Sequence, residues 1–194
     1  MKILEILKRI SAVEKYYITG IAALSIQNLV PYGARLAVLD ISVPEDYAPC
    51  IENIKKELKG DMEINVHSIY RENAYELKDF FGIRLNVAKC EISFIDSIIL
   101  GYDLGEIVLP GLEQALYDER LDKDFMLLAA YEISDDTHKK IKKLLDLIEP
   151  ERLSKMNFSS YNKECAKTCK IIASEFNTNE WAVIGAIQDA LNAY

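Results

Sequence analysis

Basic residues are in the minority in this chain of 194 residues, which carries 23 Lys and Arg against 31 Asp and Glu and a formal net charge of −8. An acidic surface repels phosphate backbones and cannot provide the counterion release that drives nonspecific binding to nucleic acids. The composition therefore argues against a stand-alone DNA-binding protein. It suits a protein partner of opposite charge instead.

Histidine, cysteine and long apolar runs are also scarce. The two histidines, His67 and His138, are too few and too far apart for a zinc site with several His ligands. Four cysteines do not make a disulfide framework in a chain of this size. The opening segment MKILEILKRI is interrupted by charges, and no stretch approaches the ~18 apolar residues of a membrane span. We therefore expect a cytoplasmic protein without membrane association.

Short motifs of several enzyme classes are missing as well. The chain contains no G-x-x-x-x-G-K-[ST], no G-x-G-x-x-G and no G-x-S-x-G. P-loop, Rossmann and α/β-hydrolase interpretations therefore lack their motifs. A Ser, Cys or Thr nucleophile activated by a nearby histidine has no support from any sequence motif either.

Two parts of different character make up the chain. Residues 1–103 combine apolar runs typical of strands with amphipathic stretches, which predicts an α+β or α/β core with a small mixed sheet and flanking helices. Residues 104–194 show helical periodicity alone and predict an all-helical C-terminal region. The expected strands are 35–43, 62–69 and 83–88. The expected helices include 2–15, 45–58, 91–100, 106–118, 122–131, 135–148, 160–176 and 178–193. The stretch YRENAYELKDFFG, residues 70–82, indicates a helix or loop over the sheet.

The segment GARLAVLDISVPED, residues 33–46, predicts a buried strand with one carboxylate near its end. Because side chains alternate along a strand, Asp40 and Ser42 share a face, and Arg35 lies on the opposite face unless a bulge intervenes. Glu63 lies on the next predicted strand, where it alternates with Asn65 and His67. The favoured interpretation of that polar row is the solvent side of an edge strand.

The segment YYITGIAALSIQNLVPYGARLAVLDISV, residues 16–43, has a characteristic order. A strand is followed by a Thr-Gly turn, a helix of small residues, a loop with glycine and a strand with arginine and aspartate. Further on, Val87, Ala88, Glu91 and Asp96 form a Val-Ala-x-x-Glu pattern followed by an aspartate. With these motifs, residues 16–148 resemble the nucleotidyltransferase superfold, and in particular the antitoxin half of AbiE-type abortive-infection systems.

The resemblance implies a function and a set of site residues. In an active nucleotidyltransferase, Gly20 would approach a triphosphate, Arg35 would contribute to cofactor binding, and Asp40 and Glu63 would be the candidate catalytic and metal-binding acids for Mg²⁺. The chain departs from that pattern at two places. Ile21 follows Gly20 where Gly or Ser is usual, and Ser42 replaces the second acid of Asp-x-Asp. The segment before the core is also too short for the winged-helix domain of the antitoxins. One carboxylate holds Mg²⁺ poorly.

Three hypotheses follow. The first is a non-catalytic, nucleotidyltransferase-like protein that binds a protein partner without a cofactor, as an antitoxin-like neutraliser of a basic toxin. The second is a divergent metal-dependent nucleotidyltransferase that uses Asp40 and Glu63. The third is a structural subunit that forms homo-oligomers through its amphipathic first helix.

Overall fold

The computed structural model describes residues 3–30, 38–57 and 62–148, together with residues 169–171, 173, 174, 179 and 183. The chain divides into two compact units, Met1–Asp96 and Ser97–Tyr194. The first unit holds the sheet, and the elements described in the second unit are helical. No helix in the described ranges is long and apolar enough to cross a membrane.

A five-stranded mixed sheet forms the centre of the first unit. Its strands are β1 (Tyr17–Thr19), β2 (Val38–Ser42), β3 (Glu63–His67), β4 (Tyr75–Phe80) and β5 (Ile83–Ala88). They lie in the order β3-β2-β1-β5-β4. The central strand β1 runs antiparallel to β2 and parallel to β5. The edge strand β3 is parallel to β2, and the edge strand β4 is antiparallel to β5. The expected mixed sheet with flanking helices is thus confirmed.

Four helices accompany this sheet: α1 (Ile3–Ile10), α2 (Gly20–Ile26), α3 (Ala48–Glu57) and α4 (Cys90–Ile99). Apolar residues at helical spacing explain their packing, since α1 buries Ile6, Leu7 and Ile10. A short 3-10 turn, Glu45–Tyr47, precedes α3 after Pro44. The predicted helices 45–58 and 91–100 are therefore confirmed within a few residues at each end, whereas the predicted helix 2–15 is confirmed only over Ile3–Ile10 and is followed by turns.

One face of the sheet is apolar. Ile18, Leu39, Ile41, Ile64 and Val87 lie on it and are all buried. In β5 the alternation of Ile83, Leu85 and Val87 with Arg84 and Asn86 produces this pattern, and the strand has the predicted bounds. Burial of this face removes apolar surface from water and so stabilises the unit.

The prediction of a helix or loop for residues 70–82 is wrong for residues 75–80, while residues 70–74, 81 and 82 are loop and turn. Tyr75–Phe80 forms β4 and pairs with β5 along its whole length, from Tyr75 opposite Ala88 to Phe80 opposite Ile83. The two connecting residues, Phe81 and Gly82, have φ angles of 50° and 76°. Positive φ at both central residues is the geometry of a tight hairpin turn whose twist matches that of its strands.

Helices make up the described part of the second unit. A π-helical turn, Leu104–Val108, leads into α5 (Leu109–Tyr117), which is followed by α6 (Lys123–Ile133) and α7 (Asp135–Leu147). Side-chain caps begin the last two: Asp122 accepts from the Phe125 N–H at 2.9 Å, and Ser134 from the Thr137 N–H at 3.0 Å. The predicted helices 106–118, 122–131 and 135–148 are confirmed. Those at 160–176 and 178–193 fall largely outside the described residues.

Candidate functional site

Polar side chains line the other face of the sheet across three of its strands, β1, β2 and β3. Residues directly opposite one another in neighbouring strands project to the same face. Two such rows cross this face. One row consists of Thr19, Asp40 and Asn65, and the other of Tyr17, Ser42 and His67. We call these six residues the polar face.

Asp40 is the buried carboxylate at the centre of the polar face, with 1% of its surface exposed. Its Oδ1 lies 2.8 Å from His67 Nε2 and 3.4 Å from Asn65 Nδ2. A carboxylate can only accept, so this hydrogen bond requires a proton on Nε2 of His67. In the neutral imidazole the bond therefore selects the tautomer with the proton on Nε2. The expected edge strand is present, but His67 is half-buried and bonded rather than solvated.

A second carboxylate, Asp96 of α4, lies close to the same face and is fully buried. Its Oδ2 accepts a hydrogen bond of 2.5 Å from Thr19 Oγ1, and its Oδ1 accepts one from Arg71 Nη2. Burial raises the pKa of Asp96, while the Arg71 guanidinium, the Thr19 hydroxyl and the His67 charge act in the opposite direction. Thr19 therefore links the two acids, because it lies opposite Asp40 and donates to Asp96.

Some polar atoms near these acids lack hydrogen-bond partners among the described residues. They are Ser42 Oγ and two atoms of Arg71, Nε and Nη1, all buried. The oxygen of the Tyr17 hydroxyl can accept from Ser42 and from Arg71, because its own proton goes to the Ile69 carbonyl at 3.1 Å. Both interactions lower the pKa of Tyr17, against the larger effect of burial. Tyr17 therefore offers an acceptor to both groups within the polar face.

Tyr17 of the polar face packs beside two further tyrosines, Tyr70 and Tyr75. The ring centroid of Tyr17 lies 5.5 Å from that of Tyr70 and 5.6 Å from that of Tyr75. The Tyr70 hydroxyl donates to the Tyr75 hydroxyl at 3.1 Å. Burial raises the pKa of both Tyr17 and Tyr70. These rings join the segment between β3 and β4 to β1, which holds Arg71 beside Asp96.

The site residues that the sequence predicted lie at separate positions along the chain's fold, apart from Arg35, which is not among the described residues. Gly20 is buried at the start of α2, next to Thr19, with a φ of 58° that glycine adopts readily. Asp40 and Ser42 share a face as predicted. Glu63 is the first residue of β3, where it lies opposite Val38 and is exposed. It is two residues before Asn65 and on the same face of the strand. Arg35 lies outside the described residues.

The residues present do not fit a Mg²⁺ site. This cation requires near-octahedral oxygen ligands at about 2.0–2.1 Å. Oδ1 of Asp40 instead faces N–H donors from His67 and Asn65. Ser42 has no carboxylate, and Glu63 is at the exposed end of its strand. Across residues 3–30, 38–57 and 62–148, no three His, Cys, Asp or Glu side chains form a group suited to a metal ion.

Sequence patterns did not reveal Thr19 and Arg71 as site residues. Asp96 follows the Val-Ala-x-x-Glu motif, whose Glu91 is buried in the first turn of α4. Arg71 lies in an irregular segment that has no periodicity to assign it to a face. Its position became evident only from its bond to Asp96.

Comparisons of the chain with protein-family models, with curated proteins and with solved structures found no match.

Proposed function

We propose that this protein is a non-catalytic, nucleotidyltransferase-like protein that acts by binding a protein partner, as an antitoxin-like neutraliser of a basic toxin. The order of its elements supports this. β1, the Thr19-Gly20 turn, α2 and β2 with Asp40 follow one another in the sequence that the resemblance implies. The motif aspartate, Asp96, lies in α4 directly after β5, where the strand-then-helix block of the resemblance requires it.

The observation that carries the non-catalytic part is the environment of Asp40. The carboxylate at the place of the metal-binding acids is buried and holds His67 in position. Ser42, at the place of the second acid, is fully buried. Asp40 thus joins β2 to β3 through its side-chain hydrogen bonds to His67 and Asn65. A metal ion that bound Oδ1 would have to replace these hydrogen bonds.

The acidic charge supports a basic partner. With a net charge of −8, the chain attracts a positively charged surface over about one Debye length, or roughly 8 Å at physiological salt. Electrostatic attraction of this kind raises the association rate more than the final affinity. The association rate of the complex should therefore fall as salt concentration rises.

Co-expression with the product of the adjacent open reading frame tests the proposal. We expect that product alone to arrest growth and this chain to restore it through a complex whose association rate decreases with salt. Asp40→Asn, which keeps the side-chain volume, should restore growth as well as the wild type. A neighbour that is not toxic, or a folded Asp40→Asn variant that fails to neutralise it, would contradict the proposal.

A divergent nucleotidyltransferase is the second candidate, favoured by one observation. Thr19 brings the two buried carboxylates Asp40 and Asp96 to the same region of the sheet. Melting with each nucleoside triphosphate, with and without Mg²⁺ or Mn²⁺, separates the two candidates. A ligand at ~100 times its dissociation constant adds about 2.7 kcal/mol of stability. A metal-dependent shift that disappears in Asp40→Asn and increases in Ser42→Asp would favour the enzyme.

A further inference from the structure

The strand β4 ends the sheet on one side, and in the described part of the chain it pairs with β5 alone. The backbone of Ala74, just before it, accepts a hydrogen bond of 2.9 Å from the Lys89 N–H. Residue 74 therefore faces the neighbouring strand. In an antiparallel pair, hydrogen-bonded and non-hydrogen-bonded positions alternate. The N–H and C=O groups of Glu76 and Lys78 must then also point towards β5. Those of Tyr75, Leu77 and Asp79 point away from it.

The outward backbone groups are accompanied by an exposed apolar side chain. Leu77, in the middle of β4, is 58% exposed, although it is flanked by charged residues. A free edge with outward N–H and C=O groups is a template for another strand. Proteins often protect such an edge with charged side chains or with proline. β4 has no proline, and its charged residues Glu76 and Lys78 are of opposite sign, so a second strand can pair with them.

We propose that β4 pairs with β4 of a second copy of this chain, antiparallel, about a two-fold axis at Leu77. In this register Leu77 lies opposite Leu77, and Tyr75 lies opposite Asp79 on each side. All of these residues have their backbone groups turned outward, so each pair exchanges both of its hydrogen bonds. The two sheets become one continuous sheet, and the exposed leucines cover each other.

The charges of β4 are self-complementary in this register and in no other close to it. Glu76 of each copy lies opposite Lys78 of the other, in the non-hydrogen-bonded pairs where side chains are nearest. An axis at Glu76 or at Lys78 would instead place like charges opposite each other. An axis between adjacent residues would pair an outward backbone with an inward one. Within each chain Glu76 and Lys78 already lie 2.7 Å apart, so the four charges can form one network.

This surface differs from the one that the sequence suggested for self-association. The apolar residues of α1, Ile6, Leu7 and Ile10, are buried within the chain and are not available to a second copy. The proposed pairing through β4 does not depend on the proposed function, because β1 and β5 separate β4 from β2, the strand that carries Asp40. Failure of either proposal therefore leaves the other intact.

Sedimentation equilibrium over a series of concentrations tests the pairing with charge variants. Glu76→Lys places Lys opposite Lys twice, and Lys78→Glu places Glu opposite Glu twice. Each should weaken the dimer by at least about tenfold, because a favourable cross-strand pair is replaced by a repulsive one on both sides of the axis. An equimolar mixture of the two variants should dimerise again, since each lysine then faces a glutamate. Both variants remain acidic overall, so net charge does not attract them to each other.

Two further variants test the backbone contribution. Leu77→Pro removes an N–H that points away from β5, so it should abolish the dimer while keeping the hairpin, as seen by circular dichroism. Lys139→Glu on α7, where the side chain is 68% exposed, makes the same charge change elsewhere and should leave the dimer unchanged. A wild type that stays monomeric at every concentration overturns the proposal. So does a dimer that persists in both single charge variants, or a mixture of them that stays monomeric.

Discussion

Arg71 compensates the buried charge of Asp96, and its removal should be the most destabilising substitution at the polar face. The Asp96 side chain is 0% exposed and that of Arg71 is 21% exposed, so both charges are largely removed from water. Breaking one half of a buried ion pair costs about 3–5 kcal/mol, because the remaining charge has lost its partner. Arg71→Met keeps the aliphatic packing and removes the charge. With a slope of about 2 kcal/mol per molar urea, the midpoint of unfolding should fall by about 2 M.

A matched surface pair provides the control. Arg9 lies 2.7 Å from Glu57, with side chains 36% and 62% exposed. Exposed pairs contribute about 0.2–1 kcal/mol, so Arg9→Met should shift the urea midpoint by less than about 0.5 M. Far-UV circular dichroism measures both variants under the same conditions. Equal shifts for Arg71→Met and Arg9→Met would refute the reasoning that burial makes the Arg71 pair different.

The cost of Arg71→Met should depend on pH in a defined direction. Burial raises the pKa of Asp96, and the guanidinium opposes that effect, so the variant has a still higher pKa. A carboxyl whose pKa is higher in the folded state favours folding when it is protonated and loses that contribution as pH rises through the folded value. The deficit of Arg71→Met relative to the wild type should therefore shrink as pH falls towards the unfolded value of about 3.9. A deficit that grows on acidification would contradict this account.

Two further predictions concern the hairpin turn and the buried tyrosines. Gly82 has a φ of 76°, which only glycine adopts readily, so Gly82→Ala should destabilise the chain by about 1 kcal/mol. Thermal melting checks the sign, and an unchanged or higher melting temperature for Gly82→Ala would contradict it. Burial raises the pKa of Tyr17, so the unfolded chain ionises near pH 10 before the folded one does, and stability should fall as pH rises above about 10. The decrease in stability above about pH 10, measured by circular dichroism, should be smaller in Tyr17→Phe than in the wild type. An identical decrease would show that ionisation of other groups causes it.

Local sequence patterns predicted those helices and strands whose two sides differ in polarity or whose ends have capping residues. β5 and the helices α6 and α7 have the predicted positions because alternation, helical spacing and the caps at Asp122 and Ser134 are properties of neighbouring residues. β4 was not predicted because its exposed Leu77 obscures the alternation. A phenylalanine at positive φ is also an unusual turn residue. Only pairing with β5 makes this segment a strand.

The polar face was predictable in part. Asp40 and Ser42 could be assigned to one face because side chains alternate along a strand. Thr19 lies 77 residues from Asp96, and Arg71 lies 25 residues from it. No spacing rule relates residues so far apart, because their approach depends on which strands become neighbours and on how α4 packs.

The sequence by itself determined which segments are apolar, where most helices begin, the net charge of the chain and the presence of serine two residues after Asp40. These properties follow from the preferences of each residue and its nearest neighbours for water or for the core. The tertiary structure decided that His67 and Asn65 bind Asp40, that Arg71 and Thr19 bind Asp96, and that β4 is an edge strand of the described sheet. Strand order and register set these contacts, and both result from packing the whole sheet, since a shift of one residue would move every side chain of a strand to the other face.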